Sequence, residues 1–365
     1  MSRLVLNEYP PRRVVQVGDV VIGGTAIPVV QSMTNTDTRD ATATLAQIAK
    51  AAVAGARIMR VAVPDADALP SLRHIVMHSP VPIVADIHFD YRLALGAMEA
   101  GVHKIRINPG NIGGTDRIRA VVAEAAARGV SIRVGVNAGS LEPDLLKRYG
   151  SPCPEALVES ALRNVSILEN QGFEEIVVSI KGSDVPITVE AYRQFARQSN
   201  YPLHIGITES GTRWTGAVRS SVGLGILLAL GIGDTLRVSL AADPVEEIRV
   251  AYRILEALGI QKRGPTVIAC PTCGRTKIDV VGLAESVEKL LENRIEPLTV
   301  AVMGCAVNGP GEAREADLGV AGGDGEGLLF RKGKIVRKVK ESGLLDELLE
   351  LFDSVADELR GKLSE

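Results

Sequence analysis

The sequence predicts an α/β protein, a (β/α)8 TIM-type barrel followed by a small α+β domain. Three observations carry that expectation. Short β-branched runs alternate eight times with longer Ala- and Leu-rich stretches. Aromatic residues make up only 3% of the 365, while hydrophobic residues make up 46%. The core must therefore be Val, Ile, Leu and Ala, as strands buried on both faces of a parallel sheet prefer. Polar residues also recur at every second position near the ends of the strand-like runs, which separates an inward face from an outward one.

In chain order the strand candidates are residues 27–33, 57–63, 82–87, 104–108, 132–137, 176–181, 203–208 and 235–240. Helical stretches at 43–54, 91–100, 116–128, 155–171, 189–198 and 244–258 alternate with them. Eight strands with their crossovers and a closing helix match a closed barrel, and a doubly wound open sheet is the competing arrangement. A polar link with a Gly-Pro step at 261–265 divides a barrel at 1–262 from a second domain at 263–365. There a strand (266–269), a helix (282–294), a strand (298–304) and a Gly-rich loop come first. A hairpin (328–338, turning at 332–334) and an amphipathic helix (344–359) complete the α+β unit.

The net charge of −3 argues against a general nucleic-acid surface. Residues 1–15 contain no apolar core of signal-peptide length, and the longest apolar run, 222–232, is too short to span a bilayer. These features predict a cytoplasmic protein with no membrane or nucleic-acid partner. Four cysteines in such a chain favour metal or redox chemistry over a disulfide framework.

The inward polar set falls in the C-terminal halves of the strands, the end where barrel enzymes carry their chemistry. It comprises Arg60, Asp86 with His88, Arg106 with Asn108, Arg133 with Asn137, Ser179 with Lys181, and Arg237 with Ser239. Four arginines and a lysine at one mouth repel one another, and Asp86 and Glu209 compensate only part of that charge. The remainder asks for a highly anionic ligand, most simply a diphosphate held by guanidinium contacts. The bland alternative is a set of internal ion pairs that closes the barrel. The turn at 108–114 leads into a helix and offers backbone amides to phosphate. Glu209, just past the seventh strand, is a rim carboxyl suited to proton transfer or to pairing with the cations. His88 reads as a rim histidine oriented by Asp86, with acid–base work as its other role.

Three of the four cysteines lie near the C-terminus. Cys270 and Cys273 flank one turn and present two sulfurs to a single centre, Cys305 arrives from a separate strand, and Glu312 follows across a Gly-Pro-Gly turn. Three sulfurs and one oxygen suit an iron site and, less well, zinc. A redox dithiol would need neither Cys305 nor Glu312. A carboxylate ligand leaves one iron more exchangeable than sulfur does, as substrate binding at iron requires. Cys153 reads as an ordinary loop thiol.

Nine stretches then carry a resemblance: 29–35 (VVQSMTN), 60–64 (RVAVP), 85–90 (ADIHFD), 106–112 (RINPGNI), 135–140 (GVNAGS), 206–209 (GITE), 231–240 (GIGDTLRVSL), 269–273 (ACPTC) and 304–312 (GCAVNGPGE). Over nearly its full length the chain resembles the bacterial 4-hydroxy-3-methylbut-2-enyl diphosphate synthases, iron–sulfur enzymes of the methylerythritol phosphate route to isoprenoids. The resemblance implies a small domain that carries a [4Fe-4S] cluster on Cys270, Cys273, Cys305 and Glu312. It implies reductive opening and dehydroxylation of 2-C-methyl-D-erythritol 2,4-cyclodiphosphate. The diphosphate would be held by Arg60, Arg106, Asn108, Arg133, Asn137, Lys181 and Ser239, with Asp86 at the same mouth and Glu209 as proton donor. It further implies a homodimer in which the small domain of one subunit caps the barrel of the other. The departures are slight: Ser210 stands where a small Ala is frequent, and Trp214 lies in a variable segment. No nicotinamide fingerprint is present, so a flavodoxin or ferredoxin is the expected electron donor. Two rivals remain: a barrel lyase or aldolase stapled by structural zinc, and a cluster-binding carrier or iron sensor, which has no use for five cations in a barrel mouth.

Overall fold

A computed structural model describes residues 4, 6, 9–24, 27–305 and 313–363. The chain divides into two units, Met1–Gln261 and Lys262–Glu365.

The first unit opens with an element that the sequence reading missed. Strands β1 (Arg12–Val17) and β2 (Val20–Gly24) form an antiparallel hairpin. Its alternation buries Val15, Val17, Val20 and Ile22 and exposes Val14 and Val21. The parallel strands follow: β3 (Val29–Met33), β4 (Ile58–Ala62), β5 (Ile83–Asp86), β6 (Lys104–Ile107), β7 (Ser131–Asn137), β8 (Ile176–Lys181), β9 (His204–Ile205) and β10 (Thr235–Leu236). They lie in the order β8-β7-β6-β5-β4-β3-β10-β9. A parallel bridge from Val178 to Leu203 joins the two edges, so the sheet closes into a barrel and the open doubly wound alternative falls.

β9 and β10 are shorter than the expected 203–208 and 235–240. Beyond them the chains part toward the rim, held by single bonds such as Arg237 N–H to Ile205 C=O at 3.0 Å. The seam between β8 and β9 is closed from outside by Tyr192, buried on the helix Val185–Gln198. Its hydroxyl accepts from Ile180 N–H at 3.0 Å and donates to His204 C=O at 2.7 Å, replacing ladder bonds that the two-residue β9 cannot make.

The apolar core lies outside the barrel wall. Outward residues such as Val61, Ile105, Ile132, Val134 and Val178 pack with Ile48, Leu72, Ala94, Leu157 and Phe195 of the surrounding helices. The inward face is largely polar, and only its N-terminal end is apolar. There Val29, Ile58 and Val84 meet Val17, Val20 and Ile22 of the hairpin, which gives the barrel a dry floor.

The second unit contains a five-stranded sheet of β11 (Thr266–Ala269), β12 (Thr299–Met303), β13 (Leu318–Gly322), β14 (Glu326–Arg331) and β15 (Lys334–Lys340), in that order. The first three strands are parallel and the last two antiparallel. Helices Val280–Leu291 and Leu344–Leu363 supply Val287, Leu291, Leu348 and Phe352 to a core shared with Val300, Val302 and Val320. The edge strand β15 carries lysines and an arginine and stays almost wholly exposed, a common defence against edge-to-edge pairing. Among the described residues no helix is long and apolar enough to cross a membrane.

Candidate functional site

Period-two alternation brings Arg60, Asp86, Arg106, Arg133 and Lys181 inward from five adjacent strands, β4 to β8. Asp86 is 8% exposed and accepts from Arg106 Nη1 at 3.3 Å. His88 Nε2 lies 3.0 Å from Arg106 Nη1 and 3.4 Å from Asp86. The proton on the ring decides the role of Nε2: bare, it accepts from the guanidinium, and protonated, it donates to Asp86. His88 is thus a rim residue tied to Asp86 and Arg106. Burial opposes ionisation of Asp86, yet Arg60, the His88 contact, Arg106 and Arg133 outweigh it and hold the carboxyl far below its usual range.

Arg106 needs room that the next strand leaves open. A Cβ on Gly135 would stand 2.4 Å from Arg106 Nε. With its carbonyl turned inward, Asn137 accepts from Arg106 Nη2 at 2.9 Å. Gly206 plays the same part for Lys181, whose Nζ would be 2.8 Å from an added Cβ. Lys181 Nζ lies 3.2 Å from His204 Nε2 inside the wall.

The cations are under strain. Arg60 donates to a soft partner, the Met33 sulfur, at 2.9 and 3.1 Å, and burial pulls it down to about 10. Burial, then the neighbouring cations, pull Arg133, Lys181 and Lys104 well below their ordinary values. Arg133 is 1% exposed, and its Nε and Nη1 have no partner among the described residues. Arg237, like Arg106 on Asp86, has a carboxylate partner. Its Nε and Nη2 reach Glu247 at 3.1 and 3.2 Å, and Glu247 also accepts from Ser32 and Leu240 N–H.

Around the rim, Glu209 is exposed, adopts φ +50°, and has no hydrogen-bond or ion-pair partner among the described residues. A side chain rarely takes that left-handed backbone, and such strain gathers at functional positions. Ser239 is half-buried, and its carbonyl accepts from Ser210 Oγ. Asn108 caps the four-residue helix Pro109–Ile112. The expected phosphate-binding turn is partly occupied: Gly110 N–H already donates to Asn164 at 2.8 Å and Asn108 at 3.2 Å.

In the second unit, Cys270 immediately follows β11, which lies beside β12, and Gly304 N–H donates to its sulfur at 3.1 Å. The turn after it doubles back, with Thr276 N–H on Cys273 C=O and Cys273 N–H on the Thr276 hydroxyl, both at 3.0 Å. Cys273 is exposed and Cys305, two residues past β12, is half-buried; no cysteine forms a disulfide. Thiolates at the ends of neighbouring parallel strands, one already receiving an amide N–H, are a donor set suited to an iron–sulfur group. Among the described residues no three Cys, His, Asp or Glu side chains stand close enough to hold one ion. Glu312, the expected oxygen ligand, lies outside the described residues. Cys153 belongs to the barrel unit, at the N-cap of helix Pro154–Glu169.

Two family models match the chain in sequence order: the GcpE TIM-barrel domain over residues 12–252 and the GcpE protein C-terminal domain over residues 266–354. The chain belongs to the GcpE family. A GcpE relative from Geobacter sulfurreducens is 58% identical over 346 residues, covering 95% of this chain and 98% of that protein. One from Maridesulfovibrio salexigens is 56% identical over 347 residues (95% and 97%), and one from Clostridium acetobutylicum is 55% identical over 343 residues (94% and 98%). All three are named 4-hydroxy-3-methylbut-2-en-1-yl diphosphate synthase (flavodoxin).

The GcpE barrel also holds inward polar residues that sequence reasoning passed over: Gln31, Lys104, Ser131 and His204, together with Glu247 beside Arg237. Lys104 and Ser131 sit two positions before Arg106 and Arg133, so the same alternation marks them. Glu247 is on a helix, and no strand pattern points to it.

Proposed function

We propose that the chain catalyses the reaction its relatives' name denotes. The cyclic diphosphate 2-C-methyl-D-erythritol 2,4-cyclodiphosphate is converted to (E)-4-hydroxy-3-methylbut-2-enyl diphosphate on the non-mevalonate route to isoprenoids. Two electrons and one proton enter. The ring C–O bond to phosphate and the C–O bond of the adjacent hydroxyl break, and water leaves. The opened diphosphate carries one more negative charge than the ring.

The observation that carries this reading is the unmatched positive charge of the barrel interior, with Arg133 Nε and Nη1 buried and unpartnered among the described residues. Asp86 is the buried carboxylate set against Arg60, Arg106, Arg133 and Lys181, while Arg237 is already matched by Glu247. A cradle of this kind favours the opened diphosphate over the ring, so its hold strengthens as the bond breaks. Asn108, Asn137 and Ser239 orient the phosphates at the mouth. Glu209, exposed and held at φ +50°, donates the proton to the departing hydroxyl. When bound on Cys270, Cys273, Cys305 and Glu312, a [4Fe-4S] cluster supplies the electrons one at a time. A flavodoxin or ferredoxin is the donor, and the enzyme works in the cytoplasm.

A homodimer with a site shared between subunits completes the reading. It is supported by an exposed apolar stripe on helix Arg213–Ala229, where Trp214, Val218, Val222 and Ile226 repeat every four residues and suit a second copy of this chain. Trp214→Glu should then yield monomers in sedimentation.

The test is anaerobic purification with iron and sulfide analysis, followed by turnover of the cyclodiphosphate with a chemical reductant. Equal iron and sulfide with turnover is expected; zinc without sulfide sinks the proposal. Glu209→Gln should keep the metal content and lower turnover by about 10²-fold or more. Full activity in that variant would remove Glu209 from the reaction.

A further inference from the structure

Beneath the mouth lies a second polar layer in which only Arg133 has a role in the proposed reaction. Lys104 of β6 pairs in register with Ser131 of β7, Arg133 stands two residues above Ser131, and Gln31 projects from β3 across the barrel. All four are buried, from 0% exposed for Lys104 to 1% for the others. Lys104 Nζ, Ser131 Oγ, Arg133 Nε and Nη1, and both amide atoms of Gln31 lack any hydrogen-bond partner among the described residues. Native interiors leave very few buried polar groups unpaired, so a cluster of them marks a missing occupant.

That occupant must be anionic and must arrive from above. The floor is apolar, made by Val17, Val20, Ile22, Val29, Ile58 and Val84, so no charge reaches the layer from below. Asp86 is engaged by Arg106 and His88, and His204, on Lys181, is neutral. Water satisfies a hydroxyl, an amide or a neutral amine, but it does not offset burial and the fields of Arg133 and Arg60, which push Lys104 away from its charged form. A phosphoryl oxyanion does both, because its several acceptor oxygens take N–H and O–H donors from different strands at once.

We propose that Lys104, Ser131, Gln31 and the lower side of Arg133 form a deep oxyanion subsite that receives one phosphate of the diphosphate ligand, while the mouth residues hold the other. This rests on the diphosphate reading above. It makes the barrel floor a depth gauge: a ligand with two linked phosphates reaches both layers, and a monophosphate fills only one.

The experiment is calorimetric titration of the full-length, anaerobically purified protein with inorganic pyrophosphate and with inorganic phosphate. Three proteins are compared: native, Lys104→Met and Ser131→Ala. Lys104→Met, close in volume and uncharged, should weaken pyrophosphate binding at least about tenfold while the melting temperature of the ligand-free protein stays level or rises. Ser131→Ala should weaken it by about two- to fivefold, and this small change carries the test should Lys104→Met fail to fold. Unchanged pyrophosphate affinity in both variants overturns the deep subsite and leaves the mouth reading standing. Failure of the native protein to bind pyrophosphate overturns the diphosphate reading itself. Phosphate should compete with pyrophosphate; simultaneous binding of the two would mean that the layer holds a free anion, and would overturn the assignment.

Discussion

In the C-terminal unit a buried carboxylate, Glu296, is met by two guanidiniums, Arg294 at 3.2 Å and Arg360. In the barrel, Lys104 and Arg133 are at least as buried, yet their donor atoms are left without partners among the described residues. The same chain therefore satisfies its buried charge in one region and leaves it unsatisfied in another. A matched pair serves the fold. An unmatched cation lowers the stability of the fold and is tolerated only where the rigid strands around it hold it ready for a ligand. The thiols differ again. Cys273 is exposed on a turn and Cys305 lies two residues past β12, outside the strand ladder that holds Arg106 and Arg133.

The comparison breaks most sharply at the cysteines. Cys305→Ser should abolish turnover and remove iron and sulfide, while calorimetric affinity for pyrophosphate stays within about twofold of native. Parallel loss of both would show that the two regions are not independent. Arg133→Met comes next. It should weaken pyrophosphate binding by about 30-fold or more and raise the stability of the ligand-free protein by about 1–2 kcal/mol, because an unpaired buried charge is removed. A fall in both quantities would mean that Arg133 is structural.

A smaller effect is expected at the barrel seam. Tyr192→Phe orphans Ile180 N–H and His204 C=O and should cost about 1–3 kcal/mol in denaturant unfolding. The smallest effects sharpen the comparison through pH. Two arginines overcome burial at Glu296 and depress it to about 2 from 4.5, so its contribution is present above pH 4.5 and is lost as pH falls toward 2. Glu296→Gln should therefore destabilise the protein at neutral pH and converge with native in acid. Asp234 runs the other way. Burial raises it to about 6 from 3.8, so its contribution is present below 3.8 and lost as pH rises through about 6. Asp234→Asn, which keeps an acceptor for Leu203 N–H, should stabilise by about 1 kcal/mol at pH 8 and by nothing at pH 4.

Much of this was legible in the chain itself. Eight alternations and a period-two polar face determined the barrel and put Arg60, Asp86, Arg106, Arg133 and Lys181 at one end of it, because strand geometry repeats every two residues whatever surrounds it. The hairpin floor was not legible, since nothing in residues 12–24 says what they cover, and the first expected strand begins at 27. Nor was the pairing of Arg237 with Glu247, which joins a strand end to a helix face, or the capture of Gly110 N–H by Asn164, 54 residues away. The identity and parity of the charged residues are local properties, and the sequence alone determined them. Which of those charges find partners, and which are left facing an apolar floor, depends on closure of the barrel. Only the tertiary structure decided that, because a partner is supplied by whichever distant segment folding brings within hydrogen-bond reach.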